Sequence, residues 1–233
     1  MVIGIGIKTY YSIQHIQAAA YLARRATEVE SNLLAEMSDE AVALKAYITS
    51  SLFSSVAFLE AQANEIFADA LESNHSHLAS LPARDRDMIA TLGESESVGK
   101  ASVLTKFDLI LRGAGKEPIE KTCDPHQSTS TIIKLRNELI HYKAAFFDIG
   151  TEGMTRTGSF HTSKLPHQIN GKYEPRKGVT GITADNWLSC GLSSWAVASV
   201  VAYADAVFSR LGVRPYFDHV RSALVTSKQP SDA

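Results

Sequence analysis

The sequence predicts an all-α, up-and-down helical bundle on three observations: long stretches of helical periodicity, one long Gly-rich interruption, and an ordinary globular composition. At 233 residues, 45% hydrophobic and 21% charged, the chain can bury a full core. Its periodicity places helices at about 10–36, 39–73, 84–92, 97–112, 126–147, 184–212 and 215–226. The interval from about 148 to 183 breaks the series as a long loop or hairpin insertion before the last long helix, and Asn170-Gly171 can turn a short hairpin within it. No repeat or low-complexity tract appears. The expected organisation is an N-terminal helical extension over 1–38, packed on one helical domain over 39–233.

The first helix forms that extension. The second contains Glu60 and Asn64, spaced to share one face, from which they can approach a functional site on a later helix; an ordinary intrahelical pair is the default. Residues 126–147 contain no Gly, and the only nearby Pro is Pro125, so His126 to Phe147 can run as one helix with Ser128 to Ser130 as candidate caps. Ile132, Leu135, Leu139, Tyr142 and Phe146 fall in one narrow sector, the stripe that a helix buries in its own core. Roughly opposite lie Ile133, Asn137, Ile140 and Ala144, spaced four, three and four, the seam pattern of helix-on-helix packing. A helix apolar on two opposed faces sits inside a bundle or meets a partner chain, and the polar Asn137 favours the partner. A homodimer joined along this seam is therefore expected. The plainer alternative makes Ile133 and Ile140 further core. In the last long helix, residues 187–204 lack formal charges and approach membrane-spanning length, but four serines dilute them and Asp205 follows, which favours a buried bundle helix.

Flanking the seam is the run Arg136-Asn137-Glu138-Leu139-Ile140-His141. Arg followed by His five residues later is expected about 0.4 times by chance in this composition, and Arg214 to His219 is such a decoy. Requiring Asn directly after Arg lowers the expectation to about 0.01. The run sets a fixed cation, an amide and a titratable imidazole along one helix.

Arg-Asn-x-x-x-His near the end of a helical domain resembles the signature of the HEPN superfamily, all-α domains that often act as metal-independent endoribonucleases. Upstream, Ser54 to Phe67 is similar to the long early helix of many such domains, and Trp187 to Leu211 fits their closing helix. The resemblance covers roughly residues 40–212, with only the Arg-Asn-x-x-x-His element specific. It implies a homodimer with the element at the interface, and Arg136, Asn137 and His141 as the active-site residues. It further implies a toxin or abortive-infection effector in antiviral defence, with an antitoxin or regulatory protein as a further partner. Some toxin members carry a modifiable tyrosine two residues after the His; this chain has Lys143 there.

These residue types suit RNA cleavage. RNA carries its own nucleophile, the 2′-hydroxyl, so the reaction needs a proton acceptor, a proton donor and stabilisation of the pentacoordinate phosphate, and no metal or other cofactor. An imidazole such as His141 serves as base or acid near neutral pH. The planar guanidinium of Arg136 can fork onto two phosphate oxygens, and Asn137 can orient the His141 ring or bond the substrate. The predicted product ends are a 2′,3′-cyclic phosphate and a 5′-hydroxyl, with DNA inert. Lys134 and Lys143, with the basic stretch of Arg156, Lys164, Lys172, Arg176 and Lys177 against the single acid Glu174, are the expected RNA-backbone contacts; a solvated surface loop is the alternative. A second reading keeps the domain but makes it a non-catalytic nucleotide-binding or protein-interaction module.

Composition sets the bounds. A net charge of -2 is not that of a constitutive nucleic-acid binder, so RNA contact must rest on a local patch. Cys123 and Cys190 make no disulfide framework, no secretory signal precedes the first helix, and a cytoplasmic protein with no membrane partner is expected. Gly4-Ile5-Gly6-Ile7-Lys8-Thr9 lacks the spacing of a phosphate-binding loop. His75 with His77, or Cys123 with His126, lacks the second ligand pair of a zinc site, so no metal is expected.

Overall fold

The computed structural model describes residues 8–33, 38–72, 77–141, 146–150, 153–157, 165–177 and 186–226. It is a helical bundle with one two-stranded hairpin among the described residues. Helix α1 (Tyr11–Ser31) buries Ile16, Ala19, Ala20, Ala23 and Ala26 against helix α2 (Asp39–Leu71). The alanines let the two backbones approach closely enough for the Ser51 hydroxyl on α2 to donate to the Ala19 carbonyl at 2.8 Å. Helix α2 starts at Ser38, whose hydroxyl accepts the Ala41 N–H at 3.2 Å, and carries Asp39 and Glu40 in its first turn, where the helix dipole favours negative charge. Its 33 residues make a central strut about 50 Å long.

The expected helix over 97–112 is two helices, α4 (Glu96–Gly99) and α5 (Val103–Gly113), which follow α3 (Ala83–Gly93). Ser102 starts α5 afresh by accepting the Thr105 N–H at 3.3 Å. The expected helix over 126–147 also needs correction, because α6 spans His126–Ile140 and Phe146 begins strand β1 (Phe146–Gly150). Strand β1 pairs antiparallel with β2 (Gly153–Thr157), with Phe146 opposite Thr157 and Gly150 opposite Gly153. Aromatic and β-branched residues favour such pairing, so the stretch after α6 goes to a sheet ladder although no Gly or Pro precedes Gly150. Ser128 to Ser130 are not the caps either. The Asp124 carboxylate, just upstream of α6, accepts the Ser128 N–H at 2.9 Å.

Short helix α7 (Leu165–Ile169) lies inside the interval expected to be a long loop or hairpin insertion, and Asn170-Gly171 ends it instead of turning a hairpin, with Gly171 at φ +72°. The loop after α7 crosses the first turn of helix α8 (Cys190–Leu211), where a Cβ on residue 191 would lie 2.7 Å from the Glu174 carbonyl, so Gly191 permits the crossing. Ser189 donates to that same carbonyl at 2.8 Å and also accepts the Leu192 N–H at 3.3 Å. At its other end α8 closes on Gly212 in the left-handed conformation, φ +72°. The segment expected as a helix over 215–226 is a tight 3₁₀ helix, Asp218–Leu224.

Helices α2 and α8 are long and apolar enough to cross a membrane by length and composition. In this fold they line the bundle core, where Phe58, Phe208 and Phe217 meet, with ring centroids 5.3 Å apart for Phe58 and Phe217. Helix α1 belongs to the same core and is tied to the end of the chain. Its Glu30 carboxylate accepts the Cys190 N–H at 2.6 Å, and Arg24 donates to the carbonyls of Ala223 and Val225 at 2.7 and 3.0 Å. At its start, Ser12 donates its N–H to Glu65 of α2 at 2.9 Å, and the Tyr10 hydroxyl donates to the buried Asp69 at 3.0 Å.

Candidate functional site

Helix α6 leans on α2 and α8 through Ile132 and Leu135, both fully buried, and the Thr129 hydroxyl donates to the Ser199 carbonyl at 3.3 Å. That anchoring leaves the outer face and the C-terminal turn of α6 in solvent. Asn137 and His141 are exposed, and Ile140 is 50% exposed. Of the expected seam, Ile133 instead packs against the core, and Ala144 lies outside the described residues. Tyr142 of the expected core stripe also lies outside them, while Leu139 is partly buried.

Arg136 turns toward α2 and forms an ion pair with Glu60, leaving its side chain 21% exposed. Asn64, the residue expected to pair with Glu60, accepts from Lys106 of α5 at 2.9 Å. Both polar residues of α2 thus face other helices, which corrects the intrahelical reading. Glu60 had a sequence signal, as the only charged residue of α2 between Lys45 and Glu65. One heptad before it on the same face, Phe53 is 38% exposed, an apolar surface residue that sequence reasoning missed. His141 ends α6, its N–H donating to the Asn137 carbonyl at 2.9 Å. At about 100° per residue, Arg136 and His141 stand roughly 140° apart around the helix, so a single copy does not bring them together.

The expected RNA contacts divide. Lys134 is exposed on α6, with no ion-pair partner among the described residues, and Lys177 is exposed. Lys172 pairs with Asp124 at 3.1 Å. Arg176 is a correction: it is 7% exposed, with its backbone N–H donating to the Asn186 carbonyl at 2.8 Å, so it belongs to the interior and not to an RNA-facing surface. Lys143 and Lys164, and the side chain of Arg156 on β2, lie outside the described residues. The decoy Arg214 is occupied by Asp218 at 2.7 Å.

No protein-family model, curated protein or solved structure matches the chain.

Beside the first turns of α6 opens a cleft of about 390 Å³, lined by Lys121, His126, Gln127, Ser130, Lys134 and Lys172 among others. Lys121 pairs with Asp108 of α5 at 3.2 Å. His126 is 8% exposed; its burial holds the ring pKa below the ordinary histidine value, against the opposing pull of Asp108. His126 Nδ1, Asp108 Oδ1 and the Tyr203 hydroxyl are buried with no hydrogen-bond partner among the described residues. Each such atom costs about 1–3 kcal/mol, and periodicity gave no sign of this group, because its members come from three separate elements. A wider cleft of about 1000 Å³ lies between α1, the start of α8 and the 3₁₀ helix, and contains none of the sequence-predicted residues. Its Cys190 thiol is pushed up by burial and then by Glu30, which keeps it protonated and a poor nucleophile. Among the described residues no group of three or more His, Cys, Asp or Glu gathers.

Asp124 links the cleft to helix stability. The bond from Ser128, aided by Lys172, holds its carboxyl below the ordinary carboxylate value, against the opposing effect of its own partial burial. A depressed folded pKa contributes stability above the unfolded value of about 3.9 and loses it as pH falls through the folded value. Asp124→Ala is expected to cost about 1 kcal/mol at pH 7 and to flatten the loss of stability below about pH 4. Urea midpoints at pH 7 and at acid pH would show this, and an unchanged acid limb would remove Asp124 from the anchoring of α6.

Proposed function

We propose that this chain is a metal-independent endoribonuclease of HEPN type, acting as a homodimer in a cytoplasmic toxin or abortive-infection role. The observation that carries the reading is the position of the Arg136-Asn137-x-x-x-His141 run at the solvent-exposed end of α6, beside the half-exposed Ile140. A run serving the core would be buried, whereas Asn137 and His141 face solvent. Two copies pairing across Ile140 and Asn137, with Phe53 adding apolar area from α2, would face one His141 toward the other and supply a base and an acid. Arg136 has its Nη2 held by Glu60 and its Nε buried, which leaves Nη1 as the donor for a phosphate oxygen. His141 takes the 2′-hydroxyl proton, the oxygen attacks phosphorus, and the partner copy's equivalent imidazole protonates the departing 5′-oxygen. Unrestrained cleavage of this kind calls for an antitoxin or regulatory protein.

The engagement of Arg136 by Glu60 favours a second reading, a non-catalytic module in which this pair joins two helices and the seam binds a nucleotide or a protein. Purified protein incubated with single-stranded RNA in excess EDTA separates the two. The nuclease leaves fragments ending in 2′,3′-cyclic phosphate and 5′-hydroxyl, leaves DNA intact, and sediments as a dimer. Intact RNA after prolonged incubation with dimeric protein would leave the module as the better reading.

A further inference from the structure

Gln127, Ser130, Lys134, Asn137 and His141 fall within about 80° around α6, at roughly 100° per residue. The first three line the cleft described above, and the last two belong to the proposed active site. One helix face therefore joins the cleft to the motif, with about 10 Å of helix rise between Lys134 and His141.

The cleft's chemistry is that of a phosphate receptor. Lys121 and Lys172 are each fixed by one aspartate, at 3.2 and 3.1 Å, while Lys134 has no ion-pair partner among the described residues. Ser130 also lines the cleft with its hydroxyl, while the Gln127 amide donates to the Thr122 carbonyl at 2.7 Å and the Thr131 hydroxyl to the Gln127 carbonyl at 2.9 Å. His126, 8% exposed and without a hydrogen-bond partner among the described residues, lines the inner wall. Apart from that imidazole, no aromatic ring lines the cleft among the described residues, which present no platform for stacking a base. Such a surface contacts the sugar-phosphate backbone without reading sequence.

We propose that the Lys121–Lys134–Lys172 cleft is a backbone-phosphate subsite for the RNA strand cut at His141. This rests on the nuclease reading and adds to it a direction of binding, along α6 from its C-terminal end to its first turn. The subsite holds nucleotides away from the cut linkage and lends affinity independent of base identity.

The test uses full-length His141→Ala protein, which the nuclease reading makes inert, and fluorescently labelled single-stranded oligonucleotides read by anisotropy over a salt series. Lys134→Glu in that background is expected to weaken RNA binding at least tenfold, equally for unrelated sequences, and to lower the slope of log affinity on log salt by about one. DNA of the same sequence should bind through the cleft with a similar loss, because the contact does not need the 2′-hydroxyl. Lys134 is exposed and unpaired among the described residues, so its variant should fold; Lys172→Gln, which also frees Asp124, is checked first by circular dichroism. If the wild type cleaves RNA and Lys134→Glu binds as tightly as its parent, the subsite is overturned and the nuclease reading stands. If the parent binds no RNA, AMP and inorganic pyrophosphate are tested for stabilisation against thermal unfolding. Protection of the wild type that Lys134→Glu loses would overturn the RNA strand and the nuclease together and assign the cleft to a free nucleotide. No protection would overturn the phosphate site itself.

Discussion

His141→Ala is expected to lower cleavage of single-stranded RNA by a factor on the order of 10²–10⁴, the usual loss when a general acid or base is removed. The side chain is exposed, and its residue's one described hydrogen bond is the backbone N–H to the Asn137 carbonyl, which alanine keeps. Stability should therefore change by no more than about 0.5 kcal/mol, as at other surface positions. Thermal melts and sedimentation establish the fold and the dimer, and end-labelled RNA in EDTA measures the chemistry. An unfolded variant would place His141 in the architecture instead, and a fully active one would exclude it from the reaction.

Arg136→Ala should lower cleavage about 10²–10³-fold, the range for losing one preorganised donor at a developing charge. Arg136→Lys should recover little of that loss, since one ammonium cannot both pair with Glu60 and fork onto a phosphate. The ion pair is only partly open to solvent, Arg136 being 21% and Glu60 48% exposed, so thermal melts of the variant separate lost stability from lost chemistry. Expression in a host offers a second readout. Wild type should arrest growth and Arg136→Ala should relieve the arrest; equal tolerance of both at matched protein levels would count against the nuclease.

What could be read from the chain beforehand depended on whether the deciding forces were local. The boundaries of α2 were legible because Ser38, Asp39 and Glu40 start it and no Gly or Pro interrupts it. The end of α6 was not, because the choice between helix and strand after Ile140 is made by pairing with residues 153–157. Arg176 sits in a basic, Gly-rich stretch that reads as solvated surface, and its burial follows from the loop crossing α8, which no local pattern announces. The Arg136 run was visible by residue order, and Glu60 could be read as reaching that site from α2, but its pairing with Arg136 in particular, and that of Asn64 with Lys106, are set by how the helices pack. Lys121 and Lys172 come from segments far apart in sequence, so their meeting at one cleft was invisible to periodicity.

The ties from α1 to Cys190, Ala223 and Val225 also set an order of assembly. Synthesis runs at about 5–20 residues per second, so the first helix waits on the order of ten seconds or more for the segments that complete it. Until they leave the ribosome, α1 lacks its C-terminal partners and its Glu30 carboxylate has no α8 N–H to accept. The motif at residues 136–141 emerges well before that closure. The bundle that carries the motif is therefore completed only after the motif itself has been made.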